Sequence, residues 1–344
     1  MPIYIMKAFV INSPGVTSFR DVPEPVPGAG DVLLRVRAAG FCGTDLSTFR
    51  GVNPLVSYPR IPGHELGCTI EAIGSAVPKQ FRIGQDVLVH PYKPCGGCTA
   101  CLQQRPNCCR DNETLGVQRE GGMTELIAAP WQTIYTSEKL SLREMALVEP
   151  LTIGYHAVQR GRVKQGDVVA VFGCGAIGLG VLAAAANHGA NVIAIDVDDR
   201  KLAVARKVDA QHTINSMTAD LHAELQKLTA GQGPPVLIEA VGLPQTFRAA
   251  VDEACFGGRV VYIGYAKKPV EYDTRHIVQR ELDIMGSRNA LSDDFRAVIA
   301  YLEQGTFPVS DVVTHVVPFH QAGEALAAWS ATPAEFIKIH VEVP

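Results

Sequence analysis

The sequence predicts an α/β protein of two domains, one β-rich and one built on a doubly wound parallel sheet, and three observations carry that prediction. A chain of 344 residues is too long for one compact core. Its first 149 residues read as short β-rich runs, such as Val32–Val36 and Asp86–His90, cut at close intervals by Gly and Pro. Near Val168 the rhythm changes to VVAVFG, an Ala-rich stretch and then NVIAID, which is strand, helix, strand.

The remaining elements follow in order. A helical pattern at Arg200–Val208 and strands VLIEAV at 236–241 and RVVYIG at 259–264 extend the βα alternation, so the parallel-sheet domain is expected over 150–285. Beyond 286 come a helix near Asp293–Gln304, the segment VVTHVVPF and a strand near Ile337–Val341; residues 286–344 are expected to return to the first domain.

Hydrophobic residues make up 47% and charged residues 19% of the chain, an ordinary globular balance. A net charge of −4 gives no basic field for nucleic acid or acidic membranes. Val168–Ala186 carries no charge and is about as long as a membrane span, but Gly173, Gly175, Gly178 and Gly180 divide it as a buried βα unit would. MPIYIMKAFV lacks the layout of a signal peptide, so a cytoplasmic protein is expected.

Five of the nine cysteines crowd between Cys95 and Cys109. Cys95, Cys98, Cys101 and Cys109 offer four thiolates at spacings that close a tetrahedral zinc site with no position left for substrate, so this zinc is structural and clamps a lobe near 93–110. A redox CxxC pair would leave the third and fourth cysteines unexplained. Cys108, Cys68, Cys174 and Cys255 read as ordinary thiols.

A second set is dispersed: Cys42 in GFCGTD, His64 and Glu65 in PGHELG, and Glu149 in VEPL. A lone cysteine is usually a small buried hydrophobe, but together these soft, borderline and hard donors suit one zinc with an open position. Glu149 also reads as a base lying just beyond the metal's own ligands or as a helix-start carboxylate.

The third set is Gly173-Cys-Gly175-Ala-Ile177-Gly178, which follows a strand and opens a helix, with Asp196 at the end of the next strand and Arg200 just beyond. Such a turn lets pyrophosphate approach the backbone at a helix N-terminus, the fingerprint of a Rossmann dinucleotide site. A carboxylate at 196 would bind both ribose hydroxyls of NAD and repel the extra phosphate of NADP.

Over nearly its whole length the chain resembles the zinc-containing medium-chain alcohol dehydrogenases. GFCGTD at 40–45, PGHE at 62–65, the four cysteines, GGMTEL at 121–126, EPL at 149–151 and GCGAIG at 173–178 stand in the order of that family. The resemblance implies a GroES-like β-rich catalytic domain over 1–149, completed by the tail, a Rossmann domain, and an active site in the cleft between them. It implies two zincs and NAD per chain, a homodimer or homotetramer, Thr44 accepting the hydroxyl proton, and Asp45 orienting His64. Glu149 stands where the best-known members carry a second cysteine ligand, as in the polyol and sugar-acid branch. Whether Glu65, Glu149 or water completes the catalytic zinc shell stays open. Ser47 replaces a histidine that often relays the proton outward.

The expected reaction is hydride transfer between NAD and a secondary alcohol of a polyol or of a sugar acid such as an aldonate. Threonine or a simple diol is the alternative substrate, and a non-catalytic zinc- and NAD-binding regulatory protein the alternative of another class. Arg50, Arg119 and above all Arg288 offer groups for a carboxylate or a row of hydroxyls, or are simply solvated loop charges.

Overall fold

A computed structural model describes residues 4–344. They form two compact units: one ends at Glu149 and takes in Phe295–Gly305 and Val313–Pro344, and the other holds Pro150–Asp294 and Thr306–Val312. The return expected at 286 falls at Phe295 in this division. Strand Asp283–Gly286 is still the last strand of the second unit's sheet, and Asp294 is tied to His156 of the same unit at 2.8 Å.

The first unit is built on a seven-stranded sheet. Its path runs Val313–Pro318, Lys338–Glu342, Asp31–Phe41, Glu65–Ile73, Asp86–Val89 and Ile134–Thr136, with Leu126–Pro130 also pairing Asp31–Phe41. The last strand of the chain therefore lies antiparallel beside Asp31–Phe41, with His340 opposite Gly40. Apolar residues alternate inward along Asp31–Phe41, so Val32, Leu34 and Val36 pack with Phe9, Leu66 and Ile70 in one core.

The second unit is a six-stranded parallel sheet in the order His212–Asn215, Asn191–Asp196, Val168–Phe172, Val236–Glu239, Arg259–Tyr262 and Asp283–Gly286. Numbered along the chain this is 3-2-1-4-5-6, the doubly wound order whose reversal point lies beside the first strand. The uncharged stretch beginning at Val168 becomes strand Val168–Phe172 and helix Ala176–Asn187. Among the described residues, no helix is long and apolar enough to cross a membrane.

Candidate active site

Strand Asp31–Phe41 hands over directly to a short helix, Gly43–Phe49, with Cys42 as its N-cap. Asp45, at the third helical position, accepts the Cys42 N–H through Oδ2 at 2.8 Å, which fixes the turn that presents the thiol. In the neighbouring strand, Glu65 stands opposite Gly40. Donor atoms of Cys42, His64 and Glu65 consequently lie within 4.8 Å of one another. His64 is 4% and Glu65 0% exposed.

Glu149 comes from helix Leu142–Arg160, just before its internal Pro150. It is buried and accepts a hydrogen bond from the Tyr92 hydroxyl. Burial raises its pKa and the like charge of Glu65 adds to the rise, while His64 and Tyr92 pull the other way. At His64 burial opposes a charge, but Cys42, Asp45 and Glu149 overcome it and hold the imidazole well above its usual pKa.

So much negative charge around a buried imidazole suits a divalent cation. His64 Nδ1 and Asp45 Oδ1 are buried without a hydrogen-bond partner, as fits a site completed by a group other than protein. Thiolate, imidazole and carboxylate together are a zinc donor set. Asp45, read from sequence as the residue that orients His64, acts on the ring through charge, and its hydrogen bond goes to Cys42.

The second cluster is local in the chain. Donor sulfurs of Cys95, Cys98, Cys101 and Cys109 lie within 4.8 Å of one another, with Cys98 Sγ 3.6 Å from Cys101 Sγ and 3.9 Å from Cys109 Sγ. Backbone N–H groups of Cys101 and Arg110 bring the Cys98 thiol down to about 6, which favours the thiolate a metal takes.

In the second unit Gly175 caps helix Ala176–Asn187. A Cβ on Gly178 would lie 1.8 Å from the Gly173 carbonyl oxygen, so only glycine lets the helix sit this close to the turn. Ile177 lies in the first turn of that helix, half-buried. Asp196 Oδ2 accepts the Cys174 N–H at 2.7 Å, and Oδ1 accepts those of Val197 and Asp198 at 2.7 and 3.0 Å. The carboxylate is thereby fixed beside the glycine turn. Arg200 pairs with Asp198 at 2.8 Å.

Residues 28–139 match the alcohol dehydrogenase GroES-like domain and residues 176–304 the zinc-binding dehydrogenase domain. An uncharacterised zinc-type alcohol dehydrogenase-like protein of Haemophilus influenzae is 32% identical over 97% of this chain and 98% of its own. The chain belongs to the zinc-type alcohol dehydrogenases. This dehydrogenase is also 31% identical to the L-galactonate-5-dehydrogenase of Escherichia coli, over 97% of this chain and 98% of that one. The crystal structure of RspB from Escherichia coli, complexed with NADH, superposes with a TM-score of 0.91 at 30% identity, covering 98% of this chain and 99% of that one. Zinc and a nicotinamide dinucleotide are therefore its cofactors.

Of the arginines considered for substrate, Arg50 donates to the Ser330 carbonyl at 2.6 Å, and Arg119 to those of Pro91 and Glu113, each at 3.2 Å. Both brace the backbone of the first unit. Arg288 is exposed in the loop after strand Asp283–Gly286.

Two residues of this dehydrogenase's site escaped the sequence reading. Tyr92 is the partner of Glu149. Lys338, 4% exposed in the last strand, donates from Nζ to both Glu65 oxygens at 2.6 and 2.7 Å and to the Phe41 carbonyl at 3.1 Å. Burial alone would lower the Lys338 pKa, but Glu65 and Cys42 raise it. The only signal in sequence is a lysine at a position of the strand IKIHV where a core residue is expected.

Proposed function

We propose that this dehydrogenase oxidises a secondary hydroxyl of a polyol or sugar acid, and reduces the matching ketone, with NAD as hydride partner. The observation that carries the reading is the buried cluster of Cys42, His64 and Glu65, with Glu149 coupled to it electrostatically. The similarity to L-galactonate-5-dehydrogenase over 97% of the chain supports the substrate class.

When bound, zinc supplies a Lewis acid that favours the alkoxide and NAD supplies the hydride acceptor. The chain's own groups do the rest. Cys42 and His64 would hold the metal, with Glu65 or Glu149 completing the protein donors. Thr44, whose Oγ1 lies 3.7 Å from Cys42 Sγ, accepts the substrate's hydroxyl proton and passes it on. Tyr92 donates to Glu149 and so fixes the orientation of that carboxylate. Asp196 accepts the ribose hydroxyls and disfavours a 2′-phosphate, which supports NAD over NADP.

None of the nine cysteines is joined in a disulfide, in keeping with a reducing, cytoplasmic setting. The parallel sheet ends at strand Asp283–Gly286, three of whose four residues are exposed, which supports a homo-oligomer formed at that edge. A panel of polyols, aldonates, simple diols and threonine, followed by NADH absorbance, tests the function. A polyol or aldonate should give the highest kcat/KM. A preference for threonine or a simple diol would replace the substrate class, and NAD binding without turnover on any alcohol would overturn the enzyme itself.

A further inference from the structure

The site described above holds more buried anions than its proposed metal balances. Cys42 as thiolate, with Asp45, Glu65 and Glu149 ionised, would place four negative charges here, and a divalent cation offsets two. Lys338 is the remaining cation. It reaches the site because the last strand pairs with Asp31–Phe41 with Ile339 opposite Phe41, which brings Lys338 level with Cys42. On the other side of the same strand Glu65 faces Gly40, and a Cβ there would lie 2.0 Å from Glu65 Oε2. The missing side chain at 40 is the space in which a carboxylate from one neighbouring strand and an ammonium from the other meet.

Both oxygens of Glu65 are engaged by one ammonium, at 2.6 and 2.7 Å, and both side chains are at most 4% exposed. Donor atoms of that same carboxylate, Cys42 and His64 lie within 4.8 Å of one another. Two cations therefore address one carboxylate in a medium that screens poorly. Electron density drawn by one is withheld from the other.

We propose that Lys338 is a positioning residue that competes with the catalytic metal for Glu65 and so sets how firmly that metal is held. The inference rests on the assignment of zinc to Cys42 and His64. Removing the ammonium frees Glu65 to bind the metal more strongly, whereas a guanidinium in its place grips the carboxylate through a two-pronged fork and draws it further away. Both effects pass through Glu65 and vanish without its charge.

The test is metal release from the cobalt-substituted full chain into excess chelator, followed by visible absorbance. The catalytic-site signal is the part missing from the Cys42→Ser protein. Lys338→Met should slow loss of that signal by about tenfold and Lys338→Arg should speed it. In a Glu65→Gln background Lys338→Met should change nothing. If burial of an unpaired Glu65 keeps Lys338→Met from folding, the Arg variant and the neutral Lys338→Met/Glu65→Gln pair carry the test. Release from Lys338→Arg equal to or slower than wild type overturns the proposal, as does a Lys338→Met effect that persists without the Glu65 charge. A wild-type chain with no cobalt signal dependent on Cys42 would instead overturn the metal assignment beneath it.

Discussion

The two cysteine-bearing clusters differ in how the chain builds them. The four-cysteine lobe draws Cys95, Cys98, Cys101 and Cys109 from one short stretch, and only Cys109 among them is buried. Its donors are four alike thiols, and the fold adds nothing to the set. The Cys42 cluster draws on residues 42, 64, 65, 92, 149 and 338, which strand pairing and one helix bring together, and its carboxylates and imidazole are buried. A local, closed set of like ligands is suited to holding a lobe together. A dispersed set of unlike ligands, each restrained by a different partner, is suited to a metal that must exchange its outer ligand.

The largest effect should come from breaking the local cluster. Cys98→Ser removes one of four thiolates, and because structural zinc binding is folding free energy, the melting temperature should fall by about 5 °C or more. Calorimetry and elemental analysis check this. An unchanged melting temperature with zinc still filling both sites would show that the lobe is not a metal clamp.

Within the dispersed cluster, Glu149→Gln keeps the shape and a Tyr92 contact but loses the charge. It should lower kcat by about 10- to 100-fold and weaken zinc at that site while leaving NAD binding and the structural zinc alone. Glu149→Cys should restore zinc binding. Normal turnover by the Gln variant would leave Cys42, His64 and Glu65 as a sufficient set.

A smaller effect is expected in the second unit. Hydrogen bonds to a charged acceptor are worth about 1.5–3 kcal/mol, so Asp196→Ala should cut the preference for NAD over NADP about tenfold or more. The ratio of kcat/KM for the two cofactors measures it, and an unchanged ratio would move the discrimination elsewhere. Part of any loss would be structural, because Asp196 also fixes the turn through the Cys174 N–H.

The same contrast explains what could be read in the sequence. Spacings of three, three and eight between cysteines carry their geometry with them, as does a glycine fingerprint between a strand and a helix. The parallel sheet was legible for that reason, its strands being short apolar runs separated by helices. Cys42 and His64 were visible only in combination, as unlike donors suited to one zinc and then through the order of the family's motifs, since nothing local joins them. Lys338 was not visible, because a lysine near the end of a chain acquires a meaning only when strand register sets it and Glu65 on either side of strand Asp31–Phe41. Tyr92 was hidden by the same kind of distance, 57 residues from its partner Glu149. Asp45 was visible as a member of the site, but its hydrogen bond to the Cys42 N–H depends on the helix starting at Gly43.

Zinc counting on the Cys42→Ser protein tests most directly whether the two clusters are a separable structural and catalytic pair. Wild-type protein should carry one zinc for each of the two clusters. The variant should lose the catalytic zinc and all turnover while keeping the structural zinc, its melting temperature close to wild type and its affinity for NAD. A Cys42→Ser protein that still fills both sites and oxidises an alcohol with NAD would contradict the account.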